Sequence, residues 1–287
     1  MAAPPVVPSS SVHHWGTDDC STIYDEMTSS HPQHEFIYRF MATRSLGDVT
    51  GKAIVDMPSG EGKYTCDLLS RGAGWVTSVD IAPKMLELTA ARVAELSLSD
   101  KHCNVQADVT KPIDLRAATK AAAAAASTTA STATAASGAP FDHVLGNFLF
   151  EYCATVADLE QVARNVFSSL ECGGKFVVMY VPGAKGAEDI AHVKAVLGIE
   201  ATVLDPAVIS PGDIVKIKYH AMEPTYCYEI HYWPVQFVVD ALTAAGFTDA
   251  TVSRCEVDPR YTGSVDLARF AAHSGNRHIV CKKPLAV

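Results

Sequence analysis

Positive charge is scarce in this 287-residue chain: 23 lysines and arginines stand against 32 aspartates and glutamates, a formal net charge of −9. That balance works against long-range attraction to phosphate backbones and anionic lipid, so neither nucleic acid nor membrane is expected as a partner. No apolar run is long enough to cross a bilayer. The opening stretch has neither the basic start nor the apolar centre of a signal peptide. Its first basic residue is Arg39, so a transit segment is not expected there either. Cysteines occur singly, at positions 20, 66, 103, 153, 172, 227, 255 and 281, with no C-x-x-C pair and no Cys/His set at zinc spacing. Reduced thiols in a cytoplasmic compartment are expected, and no metal. His13, His14, His31 and His34 fall in a polar N-terminal stretch that reads as a solvated loop.

What the chain does have is enough apolar material for a sizeable core, 48% hydrophobic against 19% charged residues. Apolar positions Phe36, Ile37, Phe40 and Met41 predict a helix within 24–44. Then "KAIVDM" reads as a buried strand, "GKYTCDLLSRGA" as a helix ended by Gly72, and "WVTSVDI" as a second strand closing on Asp80. "PKMLELTAARVAELS" predicts a helix opened by Pro83, and "HCNVQADV" a third strand ending at Asp108. This β-α-β-α-β order begins a doubly wound sheet. Residues 117–140 form a low-complexity Ala/Ser/Thr insertion, read as lying on the surface and carrying no chemistry. Alternation then resumes with "FDHVLGNFLF", a helix with a glycine stop, and "KFVVMYVPG". Two β-rich runs, "GDIVKIKYH" and "YCYEIHYW", predict a hairpin inserted as a cap. The expected organisation is a lead and helix over 1–45, a main α/β domain over 46–182 and 234–287, and a cap over 183–233.

Ligands of such sheets sit outside the carboxyl ends of the strands, where "VDMPSGEGKYT" lies. A dinucleotide fingerprint, G-x-G-x-x-G, would need a third glycine; Gly60-Glu61-Gly62 is followed instead by Lys63, Tyr64 and Thr65. Asp56 and Glu61 would also set negative charge against a pyrophosphate. A carboxylate at Asp56 suits the amino group of an amino-acid moiety, Asp80 suits both hydroxyls of a ribose, and Asp108 with the Val109 N–H suits an adenine edge.

Taken in order, "VDMPSGEGKYT", "VTSVDIAPKMLELTAAR", "VQADV" and "FDHVLGNFLFEYC" resemble the motifs of class I S-adenosylmethionine-dependent methyltransferases. The D-x-P-x-G-E-G turn, together with Ala245-Gly246-Phe247, resembles a small-molecule, toxoflavin-synthesis-type subgroup. Met57-Pro58 departs from the small residue or glycine of most members. The resemblance covers roughly 52–182 in detail. It implies an α/β fold with a doubly wound, mostly parallel, Rossmann-like seven-stranded sheet. It also implies S-adenosylmethionine as cofactor, bound by Tyr24, Asp56, Pro58, Gly60, Gly62, Asp80, Ile81, Asp108, Val109, Asn147 and Phe148.

The acceptor is expected to be a small molecule. Glu151 and Tyr152 follow the fourth strand near the expected methyl position, and His231 is the first candidate for a general base. The N-P-P-Y signature of amide and ring nitrogen methylation is absent. On a strand, residues of one parity share a face, so Tyr226, Tyr228 and Tyr232 are expected on one side of the cap and His231 and Trp233 on the other. His220 and Arg260 are candidates for an acceptor carboxylate. A monomer or homodimer is expected. Three further readings stay open: methylation of RNA or protein, a non-catalytic S-adenosylmethionine-binding module, and a nicotinamide dehydrogenase.

Overall fold

The computed structural model describes residues 24–26, 28–125, 138–181, 187–203, 209–219 and 226–286. His13, His14 and His220, and residues 126–137 of the low-complexity insertion, lie outside them.

Four short apolar runs form the parallel half of a sheet. β1 (Ala53–Asp56), β2 (Trp75–Asp80), β3 (His102–Gln106) and β4 (Phe141–Leu145) pair in parallel with β5 (Leu170–Tyr180). β1, β2 and β4 lie inside that sheet and β3 at its edge. Every residue of β2 is buried, as a strand packed on both sides requires. β9 (Thr248–Arg254) and β10 (Arg277–Lys282) complete a seven-stranded sheet of order β3-β2-β1-β4-β5-β10-β9, with β10 antiparallel to both neighbours.

Helices α2 (Lys63–Ser70), α3 (Pro83–Glu95) and α4 (Leu115–Ala125) connect the first strands, and α5 (Val156–Ser169) leads into β5. Thr155 begins α5 with a capping box, its hydroxyl and the Asp158 carboxylate satisfying each other's backbone N–H groups. The expected glycine stop is not where α5 ends: β5 starts at Leu170, directly after Ser169, and Gly173 and Gly174 lie inside that strand. The low-complexity stretch also begins differently from expectation. Leu115, Thr119 and Ala123, spaced four apart, are buried on one face of α4, and the Thr119 hydroxyl meets Thr77 at 3.3 Å. Alanine's high helix propensity makes this run a packed helix before it leaves the described residues.

Ahead of the sheet, a π-helical turn at His34–Arg39 runs into α1 (Phe40–Leu46), which buries Met41, Ala42 and Leu46. Between β5 and the last two strands come α6 (Ala187–Leu197) and a second sheet of three antiparallel strands, β6 (Ile199–Val203), β7 (Ile214–Tyr219) and β8 (Tyr226–His231). The β7–β8 pairing is the predicted hairpin; β6 and α6 were not anticipated. α7 (Val235–Ala245) ends on Gly246, whose φ of +104° favours glycine and where a Cβ would stand 3.0 Å from the Phe167 ring. α8 (Leu267–His273) precedes β10.

Candidate active site

The turn after β1 shapes the floor of the site. Gly60 has φ +52°, donates its N–H to Asp80 Oδ2 at 2.9 Å and accepts at its carbonyl from Thr89 Oγ1 at 2.9 Å. Gly62 caps α2 with φ +84°, and a Cβ there would stand 2.8 Å from Thr89 Cγ2 and 2.9 Å from Thr89 Cα. Only a residue without a side chain lets α2 and α3 approach this closely.

A cleft of about 1260 Å3 opens at the carboxyl ends of β1 to β4. Of the eleven positions expected to hold a cofactor, nine line it: Tyr24, Pro58, Gly60, Asp80, Ile81, Asp108, Val109, Asn147 and Phe148. Gly62 acts from behind, through the backbone. Asp56 does not line the cleft: its side chain is fully buried under the floor. Asp56 Oδ2 accepts from Thr65 Oγ1 at 2.7 Å, and burial, with Glu61 and Asp80 nearby, pushes its carboxyl up to about 8. Its Oδ2 braces the start of α2, while its buried Oδ1 has no protein partner.

Asp80 is held rigidly, with Oδ1 accepting from the Ala82 N–H at 2.9 Å and Oδ2 from Gly60. Burial raises its carboxyl to about 6 against the lowering effect of those backbone bonds, so it is mostly ionised at neutral pH. Asp108 Oδ1 accepts from the N–H and hydroxyl of Thr110, which fixes the turn after β3. Across the cleft, Ser59 Oγ, Tyr64 Oη and Asn147 Nδ2 are buried; Ser59 Oγ has no protein partner, and Tyr64 and Asn147 face each other. Buried polar atoms of this kind mark a place where a polar ligand completes the bonding.

The N-terminal segment closes one rim by charge. Lys63 Nζ lies 3.2 Å from both Asp25 Oδ1 and Glu61 Oε1, Arg92 lies 2.5 Å from Asp25 Oδ1, and Thr28 Oγ1 donates to Glu61 Oε1 at 2.8 Å. Tyr24 lies over Gly60, its ring carbon 3.8 Å from where a Cβ would stand.

A second, smaller chamber of about 100 Å3 lies between the main sheet and the three-stranded sheet. It shares Tyr24, His34, Phe148 and Tyr152 with the cleft. Phe148 has φ +59°, a left-handed backbone that costs a bulky residue on the order of 1–3 kcal/mol, and its N–H bonds to the Met179 carbonyl at 2.8 Å. Tyr38 meets its ring edge-on at 5.0 Å. Glu151 is 2% exposed; its Oε1 accepts from the Val181 N–H at 2.5 Å, and burial pushes its carboxyl up to about 8. Its Oε2 has no protein partner.

His34 was expected in a solvated loop, but it sits at the junction of the two chambers, where burial and the nearby Lys63 and His31 hold its imidazole down to about 3. His31 is buried too, edge-on to Tyr219 at 5.6 Å. Among the described residues no group of three or more His, Cys, Asp and Glu side chains is arranged to hold a metal.

The cap residues divide. Tyr228 lines the small chamber. His231 lines neither chamber, and its Nδ1 faces the Gly212 carbonyl at 2.9 Å. Trp233 is a core brace, its indole donating to the Cys153 carbonyl at 2.8 Å and its own carbonyl accepting from Tyr180. Tyr232 also lines neither chamber. Arg260 is exposed and forked onto Asp258, at 2.5 Å from Nη2 to Oδ2, away from both. The side chain of Tyr226 lies outside what is described.

No protein-family model and no curated protein matches the sequence. Solved structures match over nearly the full length of both chains. The CcbJ methyltransferase from Streptomyces caelestis is 14% identical with a TM-score of 0.62, over 94% of this chain and 98% of that one. An S-adenosylmethionine-dependent methyltransferase from Clostridium acetobutylicum is 13% identical with a TM-score of 0.58, over 92% and 99%. The glycopeptide N-methyltransferase MtfA, solved with S-adenosylmethionine, is 19% identical with a TM-score of 0.52, over 86% and 92%. The fold is therefore that of the class I S-adenosylmethionine-dependent methyltransferases.

Proposed function

We propose that this protein transfers a methyl group from S-adenosylmethionine to a small-molecule acceptor. The observation that carries the reading is the lining of the large cleft: rigid Asp80 at the end of β2, Asp108 in the turn after β3, and the buried polar side chains of Ser59, Tyr64 and Asn147. That donor and acceptor set fits a ligand with a ribose, an adenine and an amino-acid end. It does not fit a pyrophosphate, because Glu61 and Asp80 border the turn where the phosphates would sit. When bound, S-adenosylmethionine supplies a methyl on a cationic sulfur that departs as a neutral thioether.

The chain's own contribution is placement and dryness. Phe148 and Tyr152 separate the cleft from the small chamber and hold the acceptor in line, and the aromatic walls exclude water; proximity and orientation of this kind can supply up to ~7–11 kcal/mol. Asp80 orients the ribose, while Glu61 and Lys63 fix the loop that faces the amino-acid end. The D-x-P-x-G-E-G turn and the narrow second chamber support a small acceptor over RNA or protein.

The test is calorimetric titration with S-adenosylhomocysteine against NAD. Micromolar affinity for the first alone is the expected result; tighter binding of NAD would transfer the site to the dehydrogenase reading.

A further inference from the structure

The second chamber is polar at few points, and those points have one character. Among its described lining residues there is no lysine or arginine, whereas two carboxyl groups, Glu151 and Asp189, face it. Asp189 is already paired with His273 Nδ1 at 2.9 Å. An acceptor bearing a carboxylate or phosphate would be buried here against acids with no counter-charge, which low-dielectric surroundings penalise heavily. The remaining walls are rings and branched aliphatics, with Tyr219 and Tyr228 stacked at 6.1 Å and Tyr38, Phe148 and Phe270 beside them. A volume of about 100 Å3 is of the order of the ~150 Å3 cavity that takes up a single benzene ring.

One strong acceptor atom in this chamber has no partner. Glu151 Oε1 is taken by the Val181 N–H, and Oε2, buried with it, makes no hydrogen bond to protein. We propose that the methyl acceptor is an uncharged phenol-class molecule, a single ring bearing a hydroxyl, whose O–H donates to Glu151 Oε2. This rests on the methyl-transfer reading above. As the acceptor oxygen forms its bond to the methyl carbon, the electron pair of the carbon–sulfur bond returns to sulfur, and the hydroxyl proton passes to Glu151 Oε2, a step open only to the ionised carboxylate, whose share grows as pH rises through about 8. A hydroxyl needs such a base more than an amine does, because a protonated ether cannot persist, whereas a methylated ammonium can leave the site and shed its proton to water. A buried carboxylate in a dry aromatic chamber is thus better matched to oxygen than to nitrogen.

The experiment uses the full chain saturated with S-adenosylhomocysteine at about pH 9, above the value of about 8 at which Glu151 ionises, and follows phenol, toluene and benzoate by ligand-observed NMR. Phenol is expected to bind roughly 10-fold or more tighter than toluene, the ratio that one hydrogen bond to a charged or strongly polar acceptor supplies. Benzoate is expected not to bind. Glu151→Leu should bring the phenol-to-toluene ratio close to unity while S-adenosylhomocysteine affinity is kept; if that variant does not fold, the wild-type comparison decides alone. Benzoate binding as tightly as phenol, or a wild-type ratio near unity, overturns the assignment. Failure to bind S-adenosylhomocysteine in the same samples would instead remove the methyl-transfer reading, so the two failures are distinguishable.

Discussion

Replacing Glu151 by glutamine should make the protein more stable, and increasingly so as pH rises. The carboxyl is 2% exposed and burial lifts it from about 4.5 to about 8. Because the folded value lies above the unfolded one, the folded state holds its proton longer. Stability from this group is fully present below about pH 4.5 and is lost as pH rises through about 8. The loss accrues at 1.36 kcal/mol per pH unit over that window, an upper limit of about 4–5 kcal/mol. Glutamine keeps an acceptor for the Val181 N–H at 2.5 Å and has no proton to lose. Urea unfolding of both proteins at about pH 6 and about pH 8 should therefore show the variant's advantage growing by about 2 kcal/mol. Asp56 and Asp80, raised to about 8 and about 6, slope in the same direction in both proteins and cancel in the difference. Parallel pH profiles for wild type and variant would refute the assignment of a buried, proton-holding carboxyl at this position.

Other positions give sharper single readings. Asp80→Asn should weaken S-adenosylhomocysteine binding about 10- to 100-fold through lost charge-assisted bonds to the ribose, and unchanged calorimetric affinity would show that the ribose lies elsewhere. Gly62→Ala should cost more than about 2 kcal/mol, from its left-handed φ and from the contact at 2.8–2.9 Å with Thr89. Adding Thr89→Ala should recover only part of this, since Thr89 Cα remains in place; full recovery in urea midpoints would contradict the backbone clash. Arg260→Ala should leave cofactor affinity untouched and stability within about 0.5 kcal/mol, because its exposed guanidinium is forked onto Asp258 and lines neither chamber; a drop in affinity would bring it back as a binding residue. Lys63→Met should speed proteolytic cutting within 24–30 by releasing Asp25 and Ser29, and an unchanged digestion pattern would mean that other contacts hold that rim.

Much of the cleft was legible in the sequence because it is built from short-range signals. β1 and β2 end on acids, β3 two residues short of one and β4 on a glycine turn, and parallel pairing places those ends side by side, so Asp80 and Asp108 fell where strand order put them. Asp56 shows the limit of that logic: a strand end is not automatically a cleft wall, and Thr65 from the next helix drew this carboxylate inward. The hairpin's alternation was sound for Tyr228 but not beyond His231, where β8 ends. Once the chain leaves extended geometry, parity no longer sets direction, and Trp233 turns into the core. His34 was unreadable from its polar neighbours alone. Its burial depends on Tyr38 and Phe148, the latter contributed from over a hundred positions away, and on a π-helical turn that no local pattern announced.

Tyr24, His34, Phe148 and Tyr152 belong to both chambers, and a common wall cannot answer two ligands independently. Whatever free energy a ligand on one side gains or loses by ordering those four side chains is passed to the ligand on the other. Thermodynamic linkage makes that coupling equal in both directions. The factor by which S-adenosylhomocysteine changes the affinity for an acceptor must be the factor by which that acceptor changes the affinity for S-adenosylhomocysteine.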